Sequence, residues 1–227
     1  MLRRYEIYPV DPAASEDAKQ AMNAGIRDCG KFIPELLHSA IGHVESETSL
    51  NFVWEHAYQS PEHYQRYMAH PYHAAILDRF LLNDSPERII VDNPWGLGLV
   101  GYDIDEPDYL LPAGAARRVV ALQLAEGSQE RFAEIAAGEA ERGGMLNSIF
   151  KFNSFAAKWF DGETDTGLPT NWTHLWEQGF ASLADARAYE PQWREKAGGI
   201  VEDAIELLYE LEAGFGYPEV EFGKGTV

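Results

Sequence analysis

An internal repeat constrains the fold of this chain more than any other feature of its sequence. The run at residues 3–8, which begins with Arg3 and Arg4, recurs as residues 117–122, which begin with Arg117 and Arg118. A Trp-Glu pair at residues 54–55 likewise recurs at residues 176–177. Self-similarity over this length predicts two copies of one supersecondary unit that pack against each other.

Both halves have the same predicted order of elements. The first half reads as strands at residues 4–10, 40–45, 50–58 and 88–91, with helices at residues 15–38 and 61–83. This βαββαβ order is that of a ferredoxin-like unit, in which two helices cover one face of an antiparallel sheet. We therefore predict an α+β fold with a first repeat at residues 1–92, a linker at 93–116 and a second, diverged repeat at 117–227.

The linker contains glycines in a spacing typical of dinucleotide-binding loops. Gly96, Gly98 and Gly101 fit the pattern, but that pattern binds a pyrophosphate only when a helix follows its last glycine. Residues 102–107 are acidic and end in proline, so no helix is predicted there. We interpret the glycines as a flexible connector and predict no nicotinamide or flavin site.

Composition excludes several classes of function. The chain has 37 acidic and 18 basic residues, and its net charge of -19 argues against binding to nucleic acid or to an anionic membrane. No segment approaches the ~18 apolar residues of a membrane span, and the N-terminus lacks a signal peptide pattern, so a cytoplasmic protein is expected. The single Cys29 predicts neither an internal disulfide nor a metal centre built on thiolates.

The densest cluster of polar side chains surrounds Pro71. Tyr67, His70 and His73 would lie on roughly one side of a helix that breaks and restarts at the proline. Groups that exchange protons near neutral pH and point in one direction are suited to general acid–base catalysis. An equally weighted alternative is that the histidines cap the broken helix. No third ligand stands at a recognisable metal spacing, so no metal site is predicted.

The motif Tyr67-x-x-His70-Pro71-x-His73 resembles the stress-responsive dimeric α/β-barrel family, and the likeness extends over residues 4–92. Members of that family pair two ferredoxin-like sheets into a barrel, which implies that this chain forms an intramolecular dimeric α/β barrel. A plant cyclase of the family carries the same motif and works without metal or organic cofactor. The resemblance implies that His73 is the base, that Tyr67 assists it and that no cofactor is needed.

The two halves depart from the cyclase in different ways. The cyclase has two further pocket histidines, and the resemblance places Tyr5 and Phe52 at their positions. In the second half the motif keeps Tyr189 but loses both histidines, while His174 takes the place equivalent to Phe52. We infer that the halves have diverged and that either one cavity is catalytic or the two cavities differ.

The candidate site residues follow from these patterns. The catalytic candidates are His73, Tyr67, Tyr5, His70 and His174. The candidates for substrate binding are the aromatic strand residues Phe52, Trp54, Tyr58, Trp176 and Phe180, although such stripes more often form core. The paired arginines could hold a carboxylate at the mouth of the barrel, but solvated strand ends are the favoured interpretation.

These observations predict a cofactor-independent enzyme with a small phenolic or otherwise aromatic substrate. The favoured reaction is that of a lyase, of the decarboxylase or carbon–carbon cleaving type, or of a cyclase, with His/Tyr acid–base catalysis. The alternatives are a cofactor-free monooxygenase of a phenolic substrate, a non-catalytic stress-response binding module and a haem-binding barrel. Association into a further homodimer is left open.

Overall fold

The computed structural model describes residues 1–45, 50–82, 85–91, 100–155 and 172–217. Its strands are β1 Leu2–Tyr8, β2 Leu36–Val44, β3 Phe52–Tyr58, β4 Val100–Asp103, β5 Ala116–Leu124, β6 Asn147–Phe152, β7 His174–Phe180 and β8 Val201–Ala213. Its α-helices are α1 Glu16–Asp28, α2 Pro61–Met68, α3 Asp78–Leu81, α4 Gln129–Glu141 and the short segments Leu183–Ala188 and Trp193–Lys196. A 3-10 turn covers Cys29–Lys31 and a π-helix covers His73–Leu77.

The strands form one antiparallel sheet in the order β4-β1-β3-β2-β8-β5-β7-β6. Each repeat contributes four adjacent strands, arranged as its fourth, first, third and second. The repeats join where β2 pairs with β8, with Ala40 opposite Ala213 and Val44 opposite Tyr209. The predicted tandem ferredoxin-like fold is confirmed.

Side chains that follow β6 bring the two edge strands together. The backbone N–H of Gly101 on β4 donates to Asn153 Oδ1 at 3.1 Å, and that of Asp103 donates to Ser154 Oγ at 3.0 Å. These bonds use donors that an edge strand would otherwise leave unpaired. The sheet is therefore a nearly closed barrel. Within the described ranges no helix is long and apolar enough to cross a membrane.

Strand β3 shows how the sheet separates two cores. Successive side chains of a strand point to opposite faces. Val53 and Ala57 pack inside the barrel with residues of the second repeat, whereas Phe52, Trp54 and Tyr58 pack beneath α1 and α2. The alternation predicted for this strand is confirmed, and it divides the first repeat into a barrel side and a helix side.

Among the described residues the barrel interior holds four buried ion pairs, and two of them connect the repeats. Arg3 pairs with Glu55, and its Nε lies 3.5 Å from Glu177 Oε1. Arg117 lies 3.0 Å from Glu55 and 2.6 Å from Glu177. All four side chains are inaccessible to solvent. Burial by itself would raise the pKa of Glu55, but the two guanidinium groups and hydrogen bonds hold it at about 2. These four residues, which we call the barrel ion cluster, are the ones that reveal the repeat in the sequence.

The interpretation of the paired arginines as solvated strand ends is wrong. Arg3 and Arg117 point into the barrel, and Arg4 and Arg118 are buried on the helix side. The sequence shows the spacing of these residues but not that the other repeat covers them. Charged groups at such depth need partners, and glutamates from both repeats supply them.

The fourth strand of the first repeat is not where the sequence places it. Of residues 88–91 only Ile90 makes a bridge, with Val10, whereas β4 lies inside the predicted linker. Gly101 permits this strand, because a Cβ there would lie 2.6 Å from the carbonyl oxygen of Arg3 on β1. Gly96 and Gly98 lie outside the described residues. We keep the division into two repeats as a proposal, with β4 as the end of the first.

The first helix also ends earlier than predicted. Ser15 caps α1 by accepting the N–H of Ala18, as the sequence suggests. The helix stops at Asp28 instead of continuing to residue 38, and the 3-10 turn follows. Phe215 from the end of the second repeat lies against Gly30, where a Cβ would be 2.2 Å from the ring. The glycine thus allows a close contact between the repeats.

Candidate active site

Tyr67 and His73 meet in the layer between the helices and the sheet of the first repeat. Their ring centroids lie 4.5 Å apart in an edge-on arrangement, and both side chains are buried. Tyr67 also packs against Tyr58 at 5.1 Å and Trp54 at 6.0 Å, both on β3. The sequence motif thus brings one phenol and one imidazole into contact.

The helix breaks at the proline as predicted. α2 ends at Met68, and Pro71 begins the next helical stretch. His70 Nδ1 accepts the backbone N–H of Tyr72 at 3.2 Å, and the residue is partly exposed. The capping alternative therefore describes the contact that His70 makes, while His73 points into the protein.

The π-helix brings Asp78 next to His73. The backbone N–H of Asp78 donates to the carbonyl of His73, five residues earlier. In an α-helix two such residues would lie roughly 140° apart around the axis, whereas the i→i+5 bond of a π-helix stacks them. His73 Nδ1 consequently lies 3.5 Å from Asp78 Oδ2. Asp78 is not apparent from the sequence, because α-helical spacing would place it away from His73.

A buried carboxylate on β1 faces the same layer. Glu6 accepts hydrogen bonds from Arg4 and from the hydroxyl of Tyr8, and His56 Nε2 lies 3.4 Å from its Oε1. His56 Nδ1 lies 2.6 Å from the Tyr58 hydroxyl. The strand pattern could have indicated Glu6, because it alternates with the inward-facing Tyr5.

A small cavity lies beside Glu6, His73 and Asp78. Its volume is about 30 Å³, enough for a water molecule or two but not for an aromatic ring. Met68 and Leu82 are 37% and 39% exposed at its rim, so they are the side chains whose movement would admit a larger ligand. Methionine has a flexible side chain that adapts readily to such a change. The cavity is lined by Arg4, Glu6, Tyr8, Met68, His73, Asp78, Leu81 and Leu82.

The protonation states in this cavity suit acid–base chemistry. Burial lowers the pKa of His73 from its ordinary value, against the opposing effect of Asp78 and Glu6, so the imidazole is neutral at pH 7. Burial also raises the pKa of Tyr67 well above its ordinary value, so its hydroxyl keeps its proton. Although burial alone would raise the pKa of Glu6, Arg4 and His56 hold it at about 2. The cavity is therefore lined by a neutral base and a fixed carboxylate, and the proton donor Tyr67 packs against that base.

In the contact between Tyr67 and His73 two polar atoms lack hydrogen-bond partners. Among the described residues neither Tyr67 Oη nor His73 Nδ1 has a hydrogen-bond partner, although both are buried. Most buried polar atoms in folded proteins are paired with protein or water, and the exceptions often mark sites of function. A bound substrate or water could satisfy the hydroxyl of Tyr67, whereas His73 Nδ1 lies 3.5 Å from Asp78 Oδ2.

Two of the catalytic candidates lie away from the contact between Tyr67 and His73. Tyr5 points into the barrel, where its hydroxyl accepts a hydrogen bond from Arg3 at 3.0 Å, so the sheet separates it from His73. His174 lies on the helix side of the second repeat, stacked on Phe150 with 5.1 Å between ring centroids. The structure therefore does not bring Tyr5 or His174 together with Tyr67 and His73.

The five aromatic candidates for substrate binding are all buried in the helix-side cores. Trp54 and Tyr58 contact Tyr67, and Phe52 lines a second cavity of about 260 Å³ near the start of α1. Trp176 and Phe180 pack in the second repeat, away from the His73 cavity. Contact with substrate stays a prediction for all of them.

The second repeat has lost the polar groups of this site. Val120, Leu122 and Gln178 occupy the places that Glu6, Tyr8 and His56 hold in the first repeat. Its helix-side core is filled by Phe132, Trp176 and Trp193 instead. This difference favours the inference that a single cavity is catalytic. In the part of the chain that the structure describes, no group of three or more His, Cys, Asp or Glu is arranged to hold a metal ion.

Comparisons with solved structures support the fold over the whole chain. A provisional monooxygenase from Lactobacillus acidophilus NCFM has a TM-score of 0.56 at 10% identity, over 95% of this chain and 96% of its own. One from Fusobacterium nucleatum subsp. nucleatum has a TM-score of 0.56 at 10% identity, over 96% and 98%. An anthrone oxidase-like protein has a TM-score of 0.56 at 11% identity, over 97% and 96%. At these identities the likeness shows the fold alone.

Comparisons of sequence match a smaller part of the chain. No curated protein matches the sequence of this chain. Residues 3–94 match the family described as the stress responsive A/B barrel domain. The finer likeness to the plant cyclase is not confirmed. Residues 3–94 are therefore similar to the stress responsive A/B barrel domain, and in the described part of the chain the two repeats form one eight-stranded, nearly closed barrel.

Proposed function

We propose that the chain is an acid–base enzyme that acts on a phenolic substrate in the cavity at His73, as a lyase or a cyclase. The observation that carries this proposal is the contact of a neutral, buried imidazole with a protonated phenol, beside a carboxylate that faces the imidazole. A catalytic base must be unprotonated at the working pH and close to its acid partner. His73 and Tyr67 meet both requirements.

The roles of the side chains follow from their positions. An Nδ1–H of His73 directed at Asp78 leaves Nε2 with the lone pair that accepts a proton from the substrate. Asp78 then stabilises the imidazolium that forms. The hydroxyl of Tyr67 donates a hydrogen bond to the substrate oxygen on which charge develops. The apolar rim keeps water from the ring and strengthens these interactions.

A cofactor-free monooxygenase is the second candidate. The fold neighbours named for monooxygenase activity and for anthrone oxidase span nearly the whole chain. The same base would generate a phenolate, which would react with molecular oxygen to give a quinone and water, so that the substrate itself supplies the electrons and no other reductant is needed. Both candidates use His73 and Tyr67, so they differ only in the fate of the activated ring.

Turnover of a panel of phenols with and without oxygen tests the proposal. A lyase or cyclase should form product at the same rate in an anaerobic chamber as in air, with no oxygen uptake at an oxygen electrode. A monooxygenase should stop without oxygen and consume one oxygen molecule per product. Failure to convert or bind any phenol in air would contradict both candidates and favour a binding module.

The pH dependence of kcat/KM should report the ionisation of His73. Because burial lowers its pKa, activity should persist below the ordinary value of about 6.5 and decline only at more acid pH. Asp78→Asn removes a carboxylate that raises this pKa, so the acid limb should move to lower pH. We also expect kcat to fall by about 10- to 100-fold, as for other partners that orient a histidine.

A matched control is available on the same side of the protein. Glu87→Gln removes an exposed carboxylate that pairs with Arg79 and should leave the pH profile unchanged. If the acid limb of Asp78→Asn stayed in place or moved to higher pH, Asp78 would not act on the catalytic base.

A further inference from the structure

We propose that the His73 cavity accepts an uncharged phenolic substrate and rejects one that bears a carboxylate, and that Glu6 sets this preference. The inference rests on the proposed function of the same site. It narrows the substrate class, because aromatic acids would be poor substrates even when their rings fit the cavity, and the lyase reaction would then be a carbon–carbon cleavage other than decarboxylation.

The charges that line the cavity carry the argument. Among the described lining residues Arg4 is the single permanent cation, and Glu6 binds its guanidinium directly. The rings of Tyr64 and Phe155 also cover this guanidinium, at 4.8 and 4.7 Å from its central carbon. Asp78 contributes a second carboxylate to the lining. A substrate carboxylate would therefore meet no unpaired cation and two groups of its own sign.

Catalysis on a phenol adds no charge to this cavity. When His73 takes the phenolic proton, the phenolate and the imidazolium form together, and the sum of charges is unchanged. A carboxylate brings one additional negative charge into a buried space. Burying a charge without a partner is costly, so the neutral substrate is favoured.

The second repeat shows which partner the equivalent arginine binds when no carboxylate lies two residues further along its strand. Arg118 corresponds to Arg4, but Val120 stands in the place of Glu6. Arg118 pairs instead with Glu206 on β8, at 3.1 Å. By analogy, neutralising Glu6 should let Arg4 bind a carboxylate that arrives with a ligand. Charge-assisted bonds from arginine to carboxylate are among the strongest polar contacts.

Two probes of nearly the same shape test the inference. We would measure the Kd of para-hydroxybenzamide, which is neutral, and para-hydroxybenzoate, which is anionic, by calorimetry at pH 7. Wild-type protein should bind the amide at least about tenfold more tightly than the acid. In Glu6→Gln the affinity for the acid should rise at least about tenfold relative to the amide. The control Glu206→Gln, in the second repeat, should keep the wild-type ratio.

The outcomes separate the two proposals. Equal binding of both probes to wild type, or tighter binding of the acid, would overturn the charge preference and leave the phenol site standing. Binding of neither probe would overturn the phenol site as well. Thermal melting checks that Glu6→Gln is folded. If it is not, Asp78→Asn gives the second test, because removing this carboxylate should also raise the affinity for the acid relative to the amide, and an unchanged ratio would contradict the inference.

Discussion

Replacing Glu55 with glutamine should lower the free energy of unfolding by about 3–5 kcal/mol, or prevent folding altogether. Glu55 contacts both arginines of the barrel ion cluster and accepts hydrogen bonds from Tyr209 and Tyr217, at 2.9 and 2.7 Å. Its neutralisation would leave an excess of buried positive charge in a space closed to solvent. Removing one partner of a buried ion pair is costly because the other charge cannot regain its hydration.

The loss of stability in Glu55→Gln should affect both repeats together. Arg3 contacts Glu177, and Arg117 contacts Glu55, so each arginine is bound to the other half of the chain. Urea unfolding of Glu55→Gln, followed by circular dichroism and by tryptophan fluorescence, should therefore show one shared transition at lower urea. Glu210→Gln, an exposed substitution on β8, should change stability by less than about 0.5 kcal/mol. A loss below about 1 kcal/mol in Glu55→Gln would show that the cluster does not hold the repeats together.

The sequence predicts the architecture well because the internal repeat determines the architecture. The arginine pairs and the Trp-Glu pairs recur at corresponding strand positions, and the structure places their inward-facing members, Arg3, Arg117, Glu55 and Glu177, in one cluster. The role of the arginines could not be predicted in the same way. A strand start looks exposed in a single repeat, and it becomes buried only when the second repeat closes the barrel over it.

The sequence predicts the site in part. The motif brings Tyr67 and His73 into contact. Tyr5 faces the wrong side of the sheet because a strand alternates at every residue, so an offset of one position moves a side chain from one core to the other. Asp78 depends on a π-helix, which the spacing of apolar residues does not reveal. Alternation along their strands places Glu6 and His56 on the helix side, but their position beside His73 follows only from the packing of α2 over them.

Replacing His73 with alanine should lower kcat/KM for a phenolic substrate by about 10²- to 10⁴-fold. The imidazole is the neutral base of the site, and no other histidine is placed to substitute for it within the described ranges: His56 is held between Glu6 and Tyr58, and burial lowers its pKa to about 4. His70 contacts the backbone of Tyr72. The substitution removes a side chain from the edge of the core, so thermal melting must confirm that the protein is folded.

The second repeat provides the matched variant. His174 is also a buried histidine packed against aromatic rings, and burial likewise lowers its pKa. It lacks a facing carboxylate and a neighbouring tyrosine among the described residues, so His174→Ala should keep most of the wild-type activity. Comparing the His73→Ala and His174→Ala variants controls for the general effects of losing an imidazole from the layer between the helices and the sheet.

The ratio of kcat/KM between folded His73→Ala and folded His174→Ala tests the central claim most directly. If the cavity of the first repeat is the active site, this ratio should be about 0.01 or lower. A folded His73→Ala protein that converts the substrate as fast as His174→Ala or wild type would contradict the claim.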